Sequence, residues 1–218
     1  MAVLDRIKPT ILATRVIPNV DRALAAKLGL RDDQRSLALV TCDIDDCLYV
    51  ALDEATKMAD VEVVYAHSFY AGSAHASGPL SGEIIGMIAA PDPAEARAGL
   101  AACVAYATEK AWFEAADEAG DLAFFAHPIA RVGTYLSKEG EVPVGTSMAY
   151  LIAPPLEATF ALDAALKAAD VEVAVWFAPP SETNFSGGYL VGEQSACVAA
   201  CAAFRAAVLE IAAQPREV

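Results

Sequence analysis

The densest set of residues able to do chemistry is Asp43, Asp45 and Asp46 in the run TCDIDDC. Carboxylates this crowded repel one another, so they either stay in water or hold a cation. A solvated turn and a ligand site both fit the run taken alone. The histidines, His67, His75 and His127, are few and scattered. His67 with nearby acids is a candidate metal ligand, set against a satisfied or surface histidine. The five cysteines, Cys42, Cys47, Cys103, Cys197 and Cys201, form no C-x-x-C pair and are odd in number, which opposes a secreted disulfide framework. Cys197 and Cys201 stand one helical turn apart and could share a metal; two small buried side chains on an Ala-rich helix is the simpler reading. No G-x-S-x-G, phosphate loop or H-E-x-x-H occurs, and no nucleophile with a base and an orienter is visible. Neither an enzyme nor a cofactor is expected.

The formal charge of −14 makes nucleic acid or an anionic membrane a repulsive partner. The start, MAVLDRIKPTILATRV, carries Asp5, Arg6 and Lys8 ahead of a short apolar run, unlike a secretory signal, and an intracellular protein is expected. Residues 195 to 213 are strongly apolar but Ala-rich and interrupted by Arg205 and Glu210, which favours an amphipathic helix over a membrane span. With 56% hydrophobic residues and a mean hydropathy of +0.38, the chain has apolar surface to place beyond its own cores. Subunit interfaces are the natural destination.

The elements that must position these residues are written twice. Residues 51 to 66 read ALDEATKMADVEVVYA and residues 161 to 176 read ALDAALKAADVEVAVW. Leu162, Ala165, Leu166 and Ala169 share one helical face, and Leu52, Ala55 and Ala59 keep that face in the first copy. Asp53 and Asp163 are expected in the first helical turn and Lys57 and Lys167 toward its end, each opposing the macrodipole. Val61, Val63 and Tyr65 then alternate with Glu62 and Val64, the pattern of a strand. Strands also precede the helices, in SLALVTCDIDDCLYVA and SMAYLIAPPLEATFA, and Gly/Ser-rich loops, residues 71 to 82 and 179 to 188, lead to a further strand and a final helix. Ahead of each copy lies an apolar stretch with a proline, TILATRVIPNV or LAFFAHPIARVG. The order per copy is strand, strand, helix, strand, loop, strand, helix. This is an α+β fold with helices on one face of an antiparallel sheet, in two domains, residues 1–112 and 113–218.

The run ALDEATKMADVEV, followed by a Gly-rich loop, a strand and an Ala-rich helix, resembles the bacterial microcompartment shell domain. Val16-Ile17-Pro18 opens the first unit, and His127-Pro128 stands in the same place before the second, an order that resembles the circularly permuted tandem form. The stretches RSLALVTCDIDDCLYVALDEATK, EVVYAHSFYAG, PDPAEARAGL, MAYLIAPPLEATFALDAALKAADVE and PPSETNFSGGYL are similar to shell proteins of ethanolamine-utilising microcompartments. The resemblance covers nearly the whole chain. It implies a homotrimer that mimics a hexamer, tiles edge to edge with other shell proteins inside the cytoplasm, and carries a central pore that opens and closes.

The resemblance also tips the acid cluster toward a ligand site. Asp45, Asp46 and Glu83 would take the ammonium of ethanolamine, Phe113 would offer an aromatic wall, and Thr183 a hydroxyl or backbone partner, in a site between the two domains. The second copy reads APPLEA where the first reads CDIDDC, so one site per chain is implied. The Gly/Ser loops would line the pore: Gly72, Gly78 and Gly82 permit unusual backbone angles, and Phe69, Tyr70, Asn184 and Phe185 could plug an opening. Plain surface loops are the alternative. Lys57 and Lys167 match an edge lysine of shell domains, a role compatible with capping a helix C-terminus. Typical shell domains follow the V-I-P strand with an arginine that bonds across the tile edge; Asn19 and Ile129 stand there instead. A trimeric small-amine sensor that never assembles is the alternative function.

Overall fold

In Ser36–Cys42, SLALVTC, side chains on successive residues must serve opposite faces of a sheet, and five of the seven are buried while Leu39 and Thr41 are half-buried. A strand apolar on both faces needs cover on both, and its neighbours supply it. The structure is a computed structural model describing residues 1–69, 78–179, 181 and 183–216. In chain order the elements are β1 (Arg6–Ile7), β2 (Ile11–Ile17), α1 (Arg22–Leu28), β3 (Ser36–Cys42), α2 (Asp45–Met58), β4 (Glu62–Ser68), β5 (Ile84–Ala90) and α3 (Pro93–Lys110). There follow β6 (Phe113–Ala115), β7 (Ala123–Ile129), α4 (Thr134–Glu139), β8 (Ser147–Ala153), α5 (Pro155–Ala168), β9 (Val171–Phe177), β10 (Ser186–Gly192) and α6 (Gln194–Ala213).

The chain divides into two compact units, one of Pro9–Ala111 with Gly133–Leu136, the other of Met1–Lys8, Trp112–Val132 and Ser137–Val218. In the first, β2-β3-β5-β4 form an antiparallel sheet, with Leu37 opposite Ala89 and Ala38 opposite Ile88. Ala38, Val40 and Cys42 face a core shared with Leu48, Leu52 and Ala55 of α2 and Ala96 and Cys103 of α3. Leu37 and Leu39, one residue out of phase, pack on the other face with Val20, Leu28 and Leu30 around α1. The contact between α2 and the sheet is close enough to need a glycine: a Cβ on Gly86 would lie 2.9 Å from Leu52 Cδ1.

In the second unit the same four-strand order recurs as β7-β8-β10-β9, extended by β6 and β1 beyond β7. Phe124, Leu151, Leu190, Leu162, Phe204 and Val208 build its core under α5 and α6. Pro128 lies in β7 past the short pairing with β6, which ends at Phe124 and Ala123, where a missing N–H costs no ladder bond. The copies agree down to single hydrogen bonds: Ser36 Oγ donates to Pro18 O at 2.8 Å and Ser147 Oγ to Ala130 O at 2.7 Å. Among the described residues α6 is the one helix long and apolar enough to cross a membrane. It packs along α5 and over β7 and β8, and its Arg205 makes a bidentate pair with Glu114 of β6 at 2.7 and 3.0 Å.

Two expectations need correction. Both repeat helices start earlier than the repeated letters, at Asp45 and Pro155, so Asp53 and Asp163 sit in mid-helix and the acids of the first turn are Asp45, Asp46 and Glu157. The reason is tertiary: Cys47 and Leu48 are core residues, which continues the apolar face back to the end of β3. The sequence order also lacks α1 and α4, which are too short to show a helical period. Their marks are at the ends, where Asp21 caps Ala23 N at 2.9 Å and Gly29 closes α1 in the left-handed region at φ 68°.

Candidate functional site

The acids of the first turn of α2 lie where β3 ends. Asp45 and Asp46 are both buried, which excludes the solvated turn for these two. A helix N-terminus stabilises carboxylates through its free N–H groups, and Asp45 Oδ1 accepts from Asp46 N at 2.9 Å. Asp43 is turned to the chain instead, accepting from Thr10 N at 2.6 Å. Glu83 reaches the same neighbourhood through a tight backbone junction. Gly82 is left-handed at φ 65°, and a Cβ there would fall 1.9 Å from Cys42 O, so only glycine fits. The next amide, Glu83 N, donates to Cys42 O at 2.8 Å, and Glu83 O accepts from Phe69 N at 2.9 Å. Behind the acids, Tyr49 and Ser68 hydroxyls are hydrogen-bonded at 2.6 Å.

Burial pushes the Asp45 carboxyl above the usual carboxylate range, and hydrogen bonds from Ser68 and Asp46 pull it back in part. Glu83 is pushed up to about 6, first by burial and then by the charges of Asp45 and Asp43. Among the described residues, neither Asp45, Asp43 nor Glu83 forms an ion pair with a lysine or arginine. Such a group of acids gains from a bound cation. Burial pushes the neighbouring Cys42 thiol up to about 12 and Cys47 well up also, and thiols so shifted stay protonated at neutral pH.

Phe113 and Thr183 belong to the other unit. Phe113 stacks 5.2 Å from Phe125 and meets Phe185 edge-on at 5.9 Å. Thr183 Oγ1 lies 3.5 Å from Ser181 Oγ, in a turn where Ser181 N donates to Phe185 O and the left-handed Asn184, φ 67°, donates to Ser181 O. Phe69 and Gly78 flank residues 70 to 77; Tyr70, Gly72 and His75 lie outside the described residues. Exposed His67 sits on β4 beside Tyr65, and His127 stacks on Phe125 at 5.1 Å. Among the described residues no group of three or more His, Cys, Asp or Glu is placed to hold a metal ion. Burial raises both Cys197 and Cys201 thiols, which favours the packing reading. Lys57 Nζ pairs with Glu54 at 2.6 Å and Asp53 at 3.5 Å, and Lys167 Nζ with Asp163 at 2.6 Å.

Asp53 does more than complement a macrodipole. Its carboxylate is buried and accepts from Gly133 N at 2.7 Å and Leu136 N at 2.9 Å, clamping a peptide 80 residues away in sequence. Thr56 Oγ1 accepts from Thr134 N at 3.0 Å, and Tyr135 stacks on Tyr49 with centroids 6.2 Å apart. A Cβ on Gly133 would meet Thr56 Oγ1 at 2.3 Å, so the glycine is part of the clamp. The repeat marks Asp53 but not its partner.

No family model matches the chain. The bacterial microcompartment shell protein EutL of Escherichia coli is 52% identical over 215 residues, covering 99% of this chain and 98% of the relative. Among solved structures, the ethanolamine utilization protein EutL of Leptotrichia buccalis superposes with a TM-score of 0.96 at 53% identity over 100% of both chains. EutL of Clostridium perfringens gives 0.95 at 51% identity, over 98% of this chain and 97% of that one.

Proposed function

The chain belongs to the EutL family of bacterial microcompartment shell proteins, and from that premise we propose that it is a shell tile whose pore responds to ethanolamine. The fold is the tandem, permuted shell domain of that family, and its curated relatives are named as shell proteins rather than enzymes. In the proposed assembly three copies form a pseudohexamer within a shell in the cytoplasm. Lys57 and Lys167 lie at its lateral edges, and the segments holding Phe69, Tyr70, Gly72, Gly78, Gly82, Asn184 and Phe185 border a central pore.

The observation that carries the ligand reading is the acid set of the Pro9–Ala111 unit. Buried Asp45 and Asp46 stand with a Glu83 already raised to about 6 by burial and by Asp45 and Asp43. A small ammonium ion with a hydroxyl suits Asp45 and Glu83, whose charge burial disfavours. Its binding can favour a closed pore only by the difference in its affinity for the two states. Negative-stain microscopy and calorimetry test the two parts separately. Sheets or hexagonal arrays support a tile, whereas dispersed particles at high concentration favour the amine sensor. Ethanolamine should bind wild type and lose at least about tenfold in affinity in Asp45→Ala; equal affinity removes the ligand assignment.

A further inference from the structure

The hydroxyls of Tyr49 and Ser68 back the acid set of the Pro9–Ala111 unit. Ser68 ends β4, opposite Ile84 at the start of β5, and is 6% exposed. Tyr49 follows Asp45 by one turn of α2, so the two side chains share a face. The hydroxyl oxygens of Tyr49 and Ser68 are 2.6 Å apart, and Ser68 also hydrogen-bonds the buried Asp45 carboxylate. Either oxygen could donate across the 2.6 Å contact, and a count of protons decides which does. A serine and a tyrosine hydroxyl carry one proton each, and an ionised carboxylate carries none. Ser68 gives its proton to Asp45, so Tyr49 donates to Ser68. Tyr49 keeps that proton through the neutral range: burial pushes its phenol up to about 12, the Ser68 bond opposes the rise, and the charges of Asp45 and Asp46 add to it. Tyr135 stacks on the Tyr49 ring, with centroids 6.2 Å apart, and holds the start of the chain in place.

We infer that Ser68 and Tyr49 are positioning residues of the amine site, on the ethanolamine reading above: their hydroxyl chain ends on Asp45, keeps that carboxylate ionised and aimed, and obliges the ligand to bring N–H donors. The surroundings of Asp45 show why such a chain is needed. Asp46 and Cys47 flank it on α2, Cys42 and Asp43 stand at the end of β3, and Glu83 stands ahead of β5. On α3, Cys103 and Tyr106 face Cys42 and Asp53 rather than Asp45. Among the described residues no lysine or arginine pairs with Asp45. A carboxylate desolvated among like charges turns neutral unless N–H or O–H groups donate to it. Asp46 N supplies one such donor at 2.9 Å, and Ser68 supplies the other. Because both hydroxyl protons are committed, neither is left for a ligand, and a primary ammonium brings three donors of its own. Protonation of Asp45 would put its own proton into the chain and remove the charge that draws the ammonium.

The full chain, labelled with carbon-13 at its aspartate carboxyls and free of ligand, gives the titration of Asp45 by NMR in wild type, Ser68→Ala and Tyr49→Phe. Ser36→Ala is the control, since it loses an equally buried hydroxyl bond, to Pro18 O at 2.8 Å, at the other end of β3. Calorimetry at pH 7.5 gives the ethanolamine affinity of the same proteins. Ser68→Ala should raise the pH at which Asp45 titrates by at least about one pH unit and weaken ethanolamine at least about tenfold. Tyr49→Phe should move both the same way by less, about two- to fivefold in affinity, and Ser36→Ala should move neither. Both test substitutions remove an oxygen without adding volume, and Tyr49→Phe reads the chain if Ser68→Ala does not fold. An Asp45 that titrates as in wild type in the folded variants, with affinity unchanged, overturns the chain and leaves the amine site standing. Equal effects in Ser36→Ala overturn it too, as general loosening. A wild type that binds no ethanolamine removes the amine site and this role with it.

Discussion

Replacing Asp53 with Asn leaves the shape of the clamp and removes its charge. Asp53 accepts two backbone N–H bonds, at 2.7 and 2.9 Å, in a nearly solvent-free site. Hydrogen bonds to a charged partner are worth about 1.5–3 kcal/mol each, and a buried donor left unpaired costs about 1–3 kcal/mol. An Asn at this position keeps one acceptor and turns an NH2 toward the other donor. Asp53→Asn should therefore cost about 2–4 kcal/mol, which for a chain of this size is roughly 5–15 °C in Tm. The same change at Asp33, whose pair with Arg31 is 65% and 55% exposed, should cost under about 1 kcal/mol. Thermal melts give the comparison, and hydrogen exchange on a peptide spanning residues 132 to 137 gives the local readout, with protection expected to fall at least about tenfold. If Asp53→Asn melts within about 1 °C of Asp33→Asn and exchange at Gly133 and Leu136 is unchanged, the clamp is not what holds this peptide.

Gly82→Ala places a methyl 1.9 Å from Cys42 O at φ 65°; a loss of at least about 3 kcal/mol is expected in urea unfolding, together with loss of amine binding, because Glu83 moves with it. Arg205→Leu strands Glu114, which is 15% exposed, and should cost about 1–3 kcal/mol, measured by the same unfolding and partly restored by Glu114→Gln in the double variant. The raised Glu83, about 6 against an ordinary 4.5, binds more protons folded than unfolded between those values. Stability of the unliganded protein should therefore fall as pH rises through that window and be level above it. Pulse denaturation across pH 4.5 to 6.5 checks the sign, and Glu83→Gln should flatten the slope.

The strands and their pairing were legible because each copy carries its own period-two pattern, and SLALVTC and SMAYLIA occupy matching places in the two sheets. Helix starts were less legible. Asp45-Asp46-Cys47 reads as a polar turn until Cys47 and Leu48 are seen in the core, and α1 and α4 are too short for periodicity to reveal. In the candidate site the acids stood out as letters, but their surroundings did not, because Ser68, which bonds Asp45, and Glu83, whose N donates to Cys42 O, come from farther along the chain. Asp53 and Asp163 show the limit most clearly. They are the same letter in the same repeated word, yet one is buried in a clamp and the other lies in solvent. The difference comes from Gly133–Leu136, far along the chain, which no local pattern around Asp53 encodes.

If the acids around Glu83 form a site for a small ammonium ion, calorimetric titration of ethanolamine across pH will report it. Ligand and proton compete for a carboxylate that titrates at about 6. Expected are saturable binding with one site per chain at pH 7.5, affinity falling about tenfold per pH unit below 6, and a pH dependence much reduced in Glu83→Gln. No binding at pH 7.5, or an affinity indifferent to both pH and Glu83, would contradict it.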